Sequence, residues 1–294
     1  NTSKVIEYTS ECQRLGIKVL PPDINVSRGG FTVDGDSVRF GLNAVKSVGR
    51  NLIDSVVKER KNRPYRSLYD FCKRLHGNEL NRRALENLIK AGSFDALEPS
   101  RRAMIDSAEG ILKSVETDAR QNLEGQMDLF GMMGGEQEQA ASDYKIPNTP
   151  EYPAGDLLKM EKEVSGLYLS GHPLDAYRAQ ISQISTCTIA DLQGEDAKRF
   201  DNQNVTILCT VVKNKIMTTK SNTLMAFTTV EDLTGTLDLL IFPRVLAECR
   251  AALQENAVVV ANGRVSVKED EAARLLVEGV QPIDSYDPNK NFGM

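Results

Sequence analysis

Apolar positions recur at helical spacing through the first 120 residues and at strand spacing after residue 204, which predicts a helical part followed by a β part. Residues 3–15 (SKVIEYTSECQRL) have helical spacing, with Ser3 as N-cap and Gly16 as stop. IKVLPPDIN follows as an extended piece, because Pro21-Pro22 forbids helix. FTVDGDSVRFGL alternates around Asp34-Gly35-Asp36 and predicts a hairpin. From Leu42 to Arg60 the pattern is helix, break, helix. Leu42, Val45 and Val48 precede Gly49, and Leu52, Ile53, Val56 and Val57 follow it. A second unit of this kind runs through LNRRALENLIKAGSFDAL, breaks at Glu98-Pro99 and resumes at SRRAMIDSAEGILKSV, with Gly92 after Leu85, Leu88 and Ile89 as its cue.

The periodicity lapses after about Arg120, where Gly, Gln, acids and Pro dominate up to Asp156, as in a linker or long exposed loop. LLKMEKEVSGLYLSG resumes as a helix that should end near Gly171, with Pro173 just beyond. From Asn204, VTILCTVVKNKIMTT, TLMAFTTVEDL and TLDLLIFP read as strands, with a turn at Leu233-Thr234-Gly235. RVLAECRAAL reads as one short helix, and NAVVVANGRVSVKE and ARLLVEGVQPI add two strands. Three strands, a helix and two strands is the order of an OB-fold barrel. The expected fold class is therefore multidomain α+β: a helix-hairpin-helix region followed by a five-stranded OB-fold β-barrel. The expected segments are 1–41, a tandem hairpin region at 42–120, a linker at 121–156, a helical connector at 157–203, the barrel at 204–284 and a tail at 285–294.

Composition bounds this picture. A length of 294 residues suits two or three domains, and 40% hydrophobic with 26% charged residues is ordinary globular usage. No apolar run is long enough to cross a bilayer, and NTSKVIEYTS lacks the basic-then-apolar order of a secretory leader. The missing initiator Met suggests a piece of a longer chain. Cys12, Cys72, Cys187, Cys209 and Cys249 are scattered without a C-x-x-C pair, which favours reduced thiols and a cytoplasmic setting. His76 and His172 stand apart from each other and from the cysteines, so neither a metal nor another cofactor is expected.

Charge changes the picture more. The net charge is -5, yet residues 42–102 hold 14 Lys/Arg against 7 Asp/Glu, while residues 121–294 hold 15 against 25. A nucleic-acid surface is thus confined to one segment. Within it, a short hairpin at Lys46-Ser47-Val48-Gly49-Arg50 can aim backbone amides and the positive end of the next helix at a phosphate without reading a base. Gly49 would permit a left-handed turn and close approach. The repeat adds Lys90, Gly92, Arg101 and Arg102. A plain helical hairpin closed by a Gly cap fits the local residues at least as well. The surrounding positive charge and the repeat favour DNA.

Gln126-Met127-Asp128-Leu129-Phe130 sits where the chain has least periodicity. A Leu-Phe pair behind a Gln makes a compact anchor for a partner's pocket, although the pair could equally fold back over a helix. In the barrel, Lys213, Lys215, Lys220, Arg264 and Lys268 could line a single-strand groove with Phe227. Phe227 and Phe242 are the only aromatics between Asn204 and Ile283, both could be core, and the region is acidic. A purely structural barrel is therefore a strong rival. Ser170-Gly171-His172-Pro173-Leu174-Asp175 reads as a helix terminus and tight turn, since no nucleophile accompanies the lone His. No P-loop, G-x-G-x-x-G, G-x-S-x-G or H-E-x-x-H motif occurs, so no catalytic residue is assigned.

Six phrases taken together resemble one family. RLGIKVLPPDINVS, VRFGLNAVKSVG, SLYDFCKRL, LENLIKAGSFDAL, EKEVSGLYLSGHPLD and MAFTTVEDLTGTLDLLIFP occur in the order seen in bacterial DNA polymerase III alpha subunits, the C-family replicative polymerases. The resemblance implies the end of a fingers domain at 1–41, tandem helix-hairpin-helix motifs, an internal clamp-binding motif and an OB domain. By position, Lys46 to Arg50 would contact duplex backbone, and Gln126 to Phe130 would dock on the sliding clamp. It also implies that the parent protein is a DNA-directed DNA polymerase, a nucleotidyltransferase. The family's catalytic aspartates have no counterpart here, so this chain is not expected to synthesise DNA alone. The partners implied are duplex DNA, single-stranded DNA and a sliding clamp, with no membrane. The rival readings are the family's error-prone accessory paralogue, a protein–protein adaptor with a structural barrel, and a standalone nuclease, which the missing carboxylate cluster disfavours.

Overall fold

The computed structural model describes residues 5, 8, 9, 11, 12, 15–123, 144–219, 222–268 and 272–287. They fall in two compact units, residues 1–170 and 171–294.

In the first unit, β1 (Lys18–Leu20), β2 (Thr32–Asp34) and β3 (Ser37–Arg39) form a sheet in which β3 runs antiparallel to β2 and parallel to β1. The expected hairpin is present. The Arg39 guanidinium fixes it by donating to Asp34 Oδ2 (2.7 Å) and to the Pro21 carbonyl (3.1 Å). Five helices follow: α1 (Arg50–Glu59), α2 (Leu68–Arg74), α3 (Arg82–Lys90), α4 (Arg101–Leu123) and α5 (Ala154–Ser165). Ser67 and Asn81 cap α2 and α3 by accepting from the amides of Asp70 and Ala84, each worth about 1 kcal/mol. The apolar stripes of α1 to α4 meet in one core containing Leu52, Ile53, Phe71, Leu85, Leu88 and Ile111. Phe71 packs edge-to-face on both Tyr65 (5.0 Å) and Phe94 (4.9 Å).

Two expectations fail here. The helix expected before Gly49 is only a 3-10 turn at Leu42–Ala44. Helix α5 stops at Ser165, because Gly166 turns left-handed (φ +85°) and the Glu161 carboxylate gathers the amides of Leu169 (2.8 Å) and Ser170 (2.9 Å). Within 157–203, α5 ends at Ser165 in the first unit and residues 171–203 lie in the second.

The second unit begins with a 3-10 turn at Pro173–Tyr177 and α6 (Arg178–Ile184). His172 Nδ1 accepts from the Leu174 amide (3.1 Å) while Asp175 accepts from the His172 amide (2.6 Å), so this histidine is a cap within a turn. The barrel follows as β4 (Asn204–Thr218), β5 (Leu224–Glu231), β6 (Thr236–Ile241), α7 (Pro243–Cys249), β7 (Val258–Ser266) and β8 (Arg274–Pro282). It closes in the order β4-β5-β6-β8-β7, with β6 and β8 parallel. At the β5–β6 turn, Asp232 Oδ1 accepts from the amides of Thr234 (2.7 Å) and Gly235 (2.9 Å). Leu246 and Cys249 of α7 join Ile207, Val211, Leu239 and Leu275 in the barrel core. All five cysteines are unpaired, and burial pushes the Cys72 thiol up to about 12. Among the described residues no helix is long and apolar enough to cross a membrane, and no group of three His, Cys, Asp or Glu could hold a metal ion.

Candidate nucleic-acid interface

The first hairpin is built by a turn that the sequence places two residues too late. Ser47 takes the left-handed backbone (φ 61°), whereas Gly49 is extended (φ −71°, ψ 147°) and serves as N-cap of α1 without a side chain. The first-turn amides of α1 consequently have no side-chain cap. The hairpin is held from behind. The Lys46 amide donates to the Val164 carbonyl (2.8 Å), and the Asn87 amide group donates to the Lys46 carbonyl (2.7 Å). Val48 is half-buried and packs on the helical core, so it anchors the turn and is withdrawn from the outer surface. Lys46, Ser47, Gly49 and Arg50 are exposed. Lys46 Nζ donates to the Glu163 carbonyl (2.6 Å), and no ion pair of Lys46 or Arg50 occurs among the described residues. One acid stands at the mouth: Glu79, itself left-handed (φ 62°), accepts from the Asn51 amide group (3.1 Å).

The second hairpin is different. Gly92 (φ +83°) ends α3 with the Gly92 amide on the Ile89 carbonyl (2.8 Å) and the Ser93 amide on the Leu88 carbonyl (3.0 Å), a Schellman-like close. A Cβ on Gly92 would collide with the Arg101 guanidinium. Arg101, expected to face DNA, is only 4% exposed. It donates to Asp95 (2.7 and 2.9 Å), to fully buried Glu161 (2.9 Å) and to the Lys90 carbonyl (3.1 Å). Burial alone would lower its pKa, but the hydrogen bonds and charge of Asp95 and Glu161 outweigh burial and raise it. Arg101 is therefore a structural cation, because two carboxylates reach it first. Lys90 is paired with Glu163 (3.2 Å). Arg102 is exposed and lies over the Tyr152 ring (5.7 Å). Glu151 accepts from the amides of Arg101 (2.7 Å) and Arg102 (3.2 Å), so this helix start is occupied.

These contacts revise the charge count. Among the described residues, five of the fourteen basic side chains in 42–102 are in ion pairs: Arg63, Arg74, Arg82, Lys90 and Arg101. The partners Glu151, Glu161, Glu163 and Asn87 were missed from sequence because all but one lie far along the chain and carry no motif.

On the barrel, cross-strand register sets Lys215 opposite Phe227, Lys213 opposite Thr229 and Met217 opposite Met225. Alternation puts these side chains on one face of the β4–β5 ribbon. Phe227 is 37% exposed and Phe242 46%, so neither is core. Arg264 faces Asn204 at the opposite end of β4, and exposed Lys268 lies just past β7, so the candidate groove residues form two groups. The first group is not purely basic, since Thr229 also pairs with Asp238. Lys220 and the anchor Gln126, Met127, Asp128, Leu129 and Phe130 lie outside the described residues.

A helix-hairpin-helix motif model matches residues 16–104, and an OB-fold nucleic acid binding domain model matches residues 206–283. DNA polymerase III subunit alpha of Haemophilus influenzae is 35% identical over 268 residues, which is 90% of this chain and 23% of that protein. The Escherichia coli K12 protein of the same name is 33% identical over 269 residues, again 90% and 23%. The Bacillus subtilis protein is 32% identical over 290 residues, or 99% and 25%. The chain spans about a quarter of the length of these relatives. With at least nine-tenths of its residues aligned to them, and with a helix-hairpin-helix region followed by a closed five-stranded barrel, the chain belongs to the DNA polymerase III alpha-subunit family.

Proposed function

We propose that this chain is the DNA-holding and clamp-tethering part of a replicative DNA polymerase. The first hairpin grips duplex backbone, Gln126–Phe130 docks on a sliding clamp, and the β4–β5 face of the barrel guides single-stranded template. The observation that carries the reading is the first hairpin. It is a turn held by hydrogen bonds on both sides of the Lys46 peptide, at a helix start without a side-chain cap, flanked by exposed Lys46 and Arg50. Amides and charges so placed recognise phosphate and ignore base identity. We place the polymerase chemistry that the relatives' name denotes in the part of those relatives that this chain does not span.

A second reading concerns the barrel alone. Ile216, Met217 and Leu224 are exposed at the tip of the same ribbon, which suits a protein partner as well as a stacked base. One set of variants separates the roles. Replacing Leu129 and Phe130 with Ala should abolish capture by the sliding clamp and leave duplex affinity intact. Phe227→Ala should weaken single-strand binding by about 5- to 150-fold, equivalent to about 1–3 kcal/mol for one stacked base, with clamp and duplex binding unchanged. Clamp capture by the first variant would refute the tether. Unchanged single-strand affinity in the second would leave the ribbon to a protein partner.

A further inference from the structure

The two hairpins differ in what stands at the start of the following helix. At α1 no side-chain cap is present. At α4, a helix of 23 residues, the Glu151 carboxylate uses one oxygen for the Arg101 amide (2.7 Å) and the other for the Arg102 amide (3.2 Å). Two anionic oxygens on two consecutive amides at a helix start is the arrangement a phosphate would adopt.

The carboxylate does not arrive alone. Residues 144–152 lie along α4 from Gly110 back to its start. The Tyr144 ring sits against Gly110, where a Cβ would collide with its hydroxyl. Ile146 packs on the helical core, the Ser100 hydroxyl donates to the Thr149 carbonyl (2.8 Å), and Tyr152 lies under Arg102 (5.7 Å). The helix keeps its own cap independently, because Ser100 Oγ accepts from the Ala103 amide (3.1 Å). Glu151 is thus not needed to start α4.

We propose that the 144–152 limb is a built-in occupant of the second hairpin: Glu151 stands in for a duplex phosphate and closes that hairpin to DNA, and displacing it opens a second backbone contact. This rests on the duplex-grip reading above. A carboxylate tethered this closely competes at an effective concentration on the order of millimolar, so a duplex held only by the first hairpin does not readily displace it. Exposed Arg102 would then join the newly freed amides, while Arg101 stays committed to Asp95 and Glu161.

The test uses the whole chain as wild type, Glu151→Gln and Glu151→Ala. Amide hydrogen exchange over 144–152 and duplex affinity across a salt series are both measured. Both variants should exchange faster in the limb while 82–90 stays protected. Their duplex affinity should rise several-fold at low salt, with a slope of log K against log salt steeper by about 0.9 for each phosphate gained. A limb that stays protected in the variants would overturn the proposal, as would a released limb with no gain in affinity or slope. Wild-type protein that fails to bind duplex would count against the grip itself. In that case duplex binding gained by the variants upholds the closure, and none gained overturns it.

Discussion

Lys46 and Arg101 enter the same positive segment of the sequence, yet their surroundings assign them opposite work. Lys46 is exposed at the rim of a turn, its Nζ on a main-chain carbonyl. Arg101 lies between Asp95 and a glutamate that water does not reach. Removing one partner of a buried pair strands the other charge, at a cost of about 3–5 kcal/mol. Arg101→Ala should therefore lower the urea midpoint substantially, with the duplex affinity of the folded fraction unchanged. A variant of normal stability with weakened duplex binding would return Arg101 to the DNA surface. Counting charges cannot make this distinction, because Glu161 is sixty positions away and nothing marks it as a partner. Ser47 is a similar case: the glycine two residues later attracts the turn assignment, while the left-handed residue is a serine.

At the scale of elements, what is local was legible. The barrel's strands can be read from alternation, and the β5–β6 hairpin from Asp232, which organises its own neighbours. The second hairpin was not legible, since the Glu151 carboxylate on its amides comes from fifty positions further along the chain. Helix α2 shows how much a local cap can concentrate. Ser67 accepts from the Asp70 amide, and Asp70 accepts from the Arg66 amide (3.1 Å) and both ends of the Arg63 guanidinium (2.7 and 2.9 Å). Burial pushes the Asp70 carboxyl up, but these bonds and the charges of Arg63 and Arg74 outweigh it and hold the group below its ordinary value. A lowered pKa contributes stability above the unfolded value of about 3.9, and that contribution fades as pH falls toward the folded value. Asp70→Asn should thus be less stable than wild type at neutral pH, with the gap narrowing below about pH 3.9. A gap that is constant with pH would mean that the carboxylate charge contributes nothing.

Over the whole chain, a net charge of -5 conceals one segment, residues 42–102, in which Lys and Arg outnumber Asp and Glu. Ion pairs engage five of its fourteen cations among the described residues, and Lys46 and Arg50 of the first hairpin are not among them. Six short phrases in order identified the family even though they leave the long-range contacts open. Whether this hairpin carries the grip on duplex DNA is decided by a salt titration of duplex binding by wild type and by Lys46→Glu/Arg50→Glu on several unrelated sequences. Log K should fall linearly with log salt, by about 0.9 for each phosphate neutralised. The double variant should bind more weakly to every sequence alike, with a shallower slope. Affinity and slope unchanged by the double reversal, or a loss confined to particular sequences, would contradict a backbone grip by this hairpin.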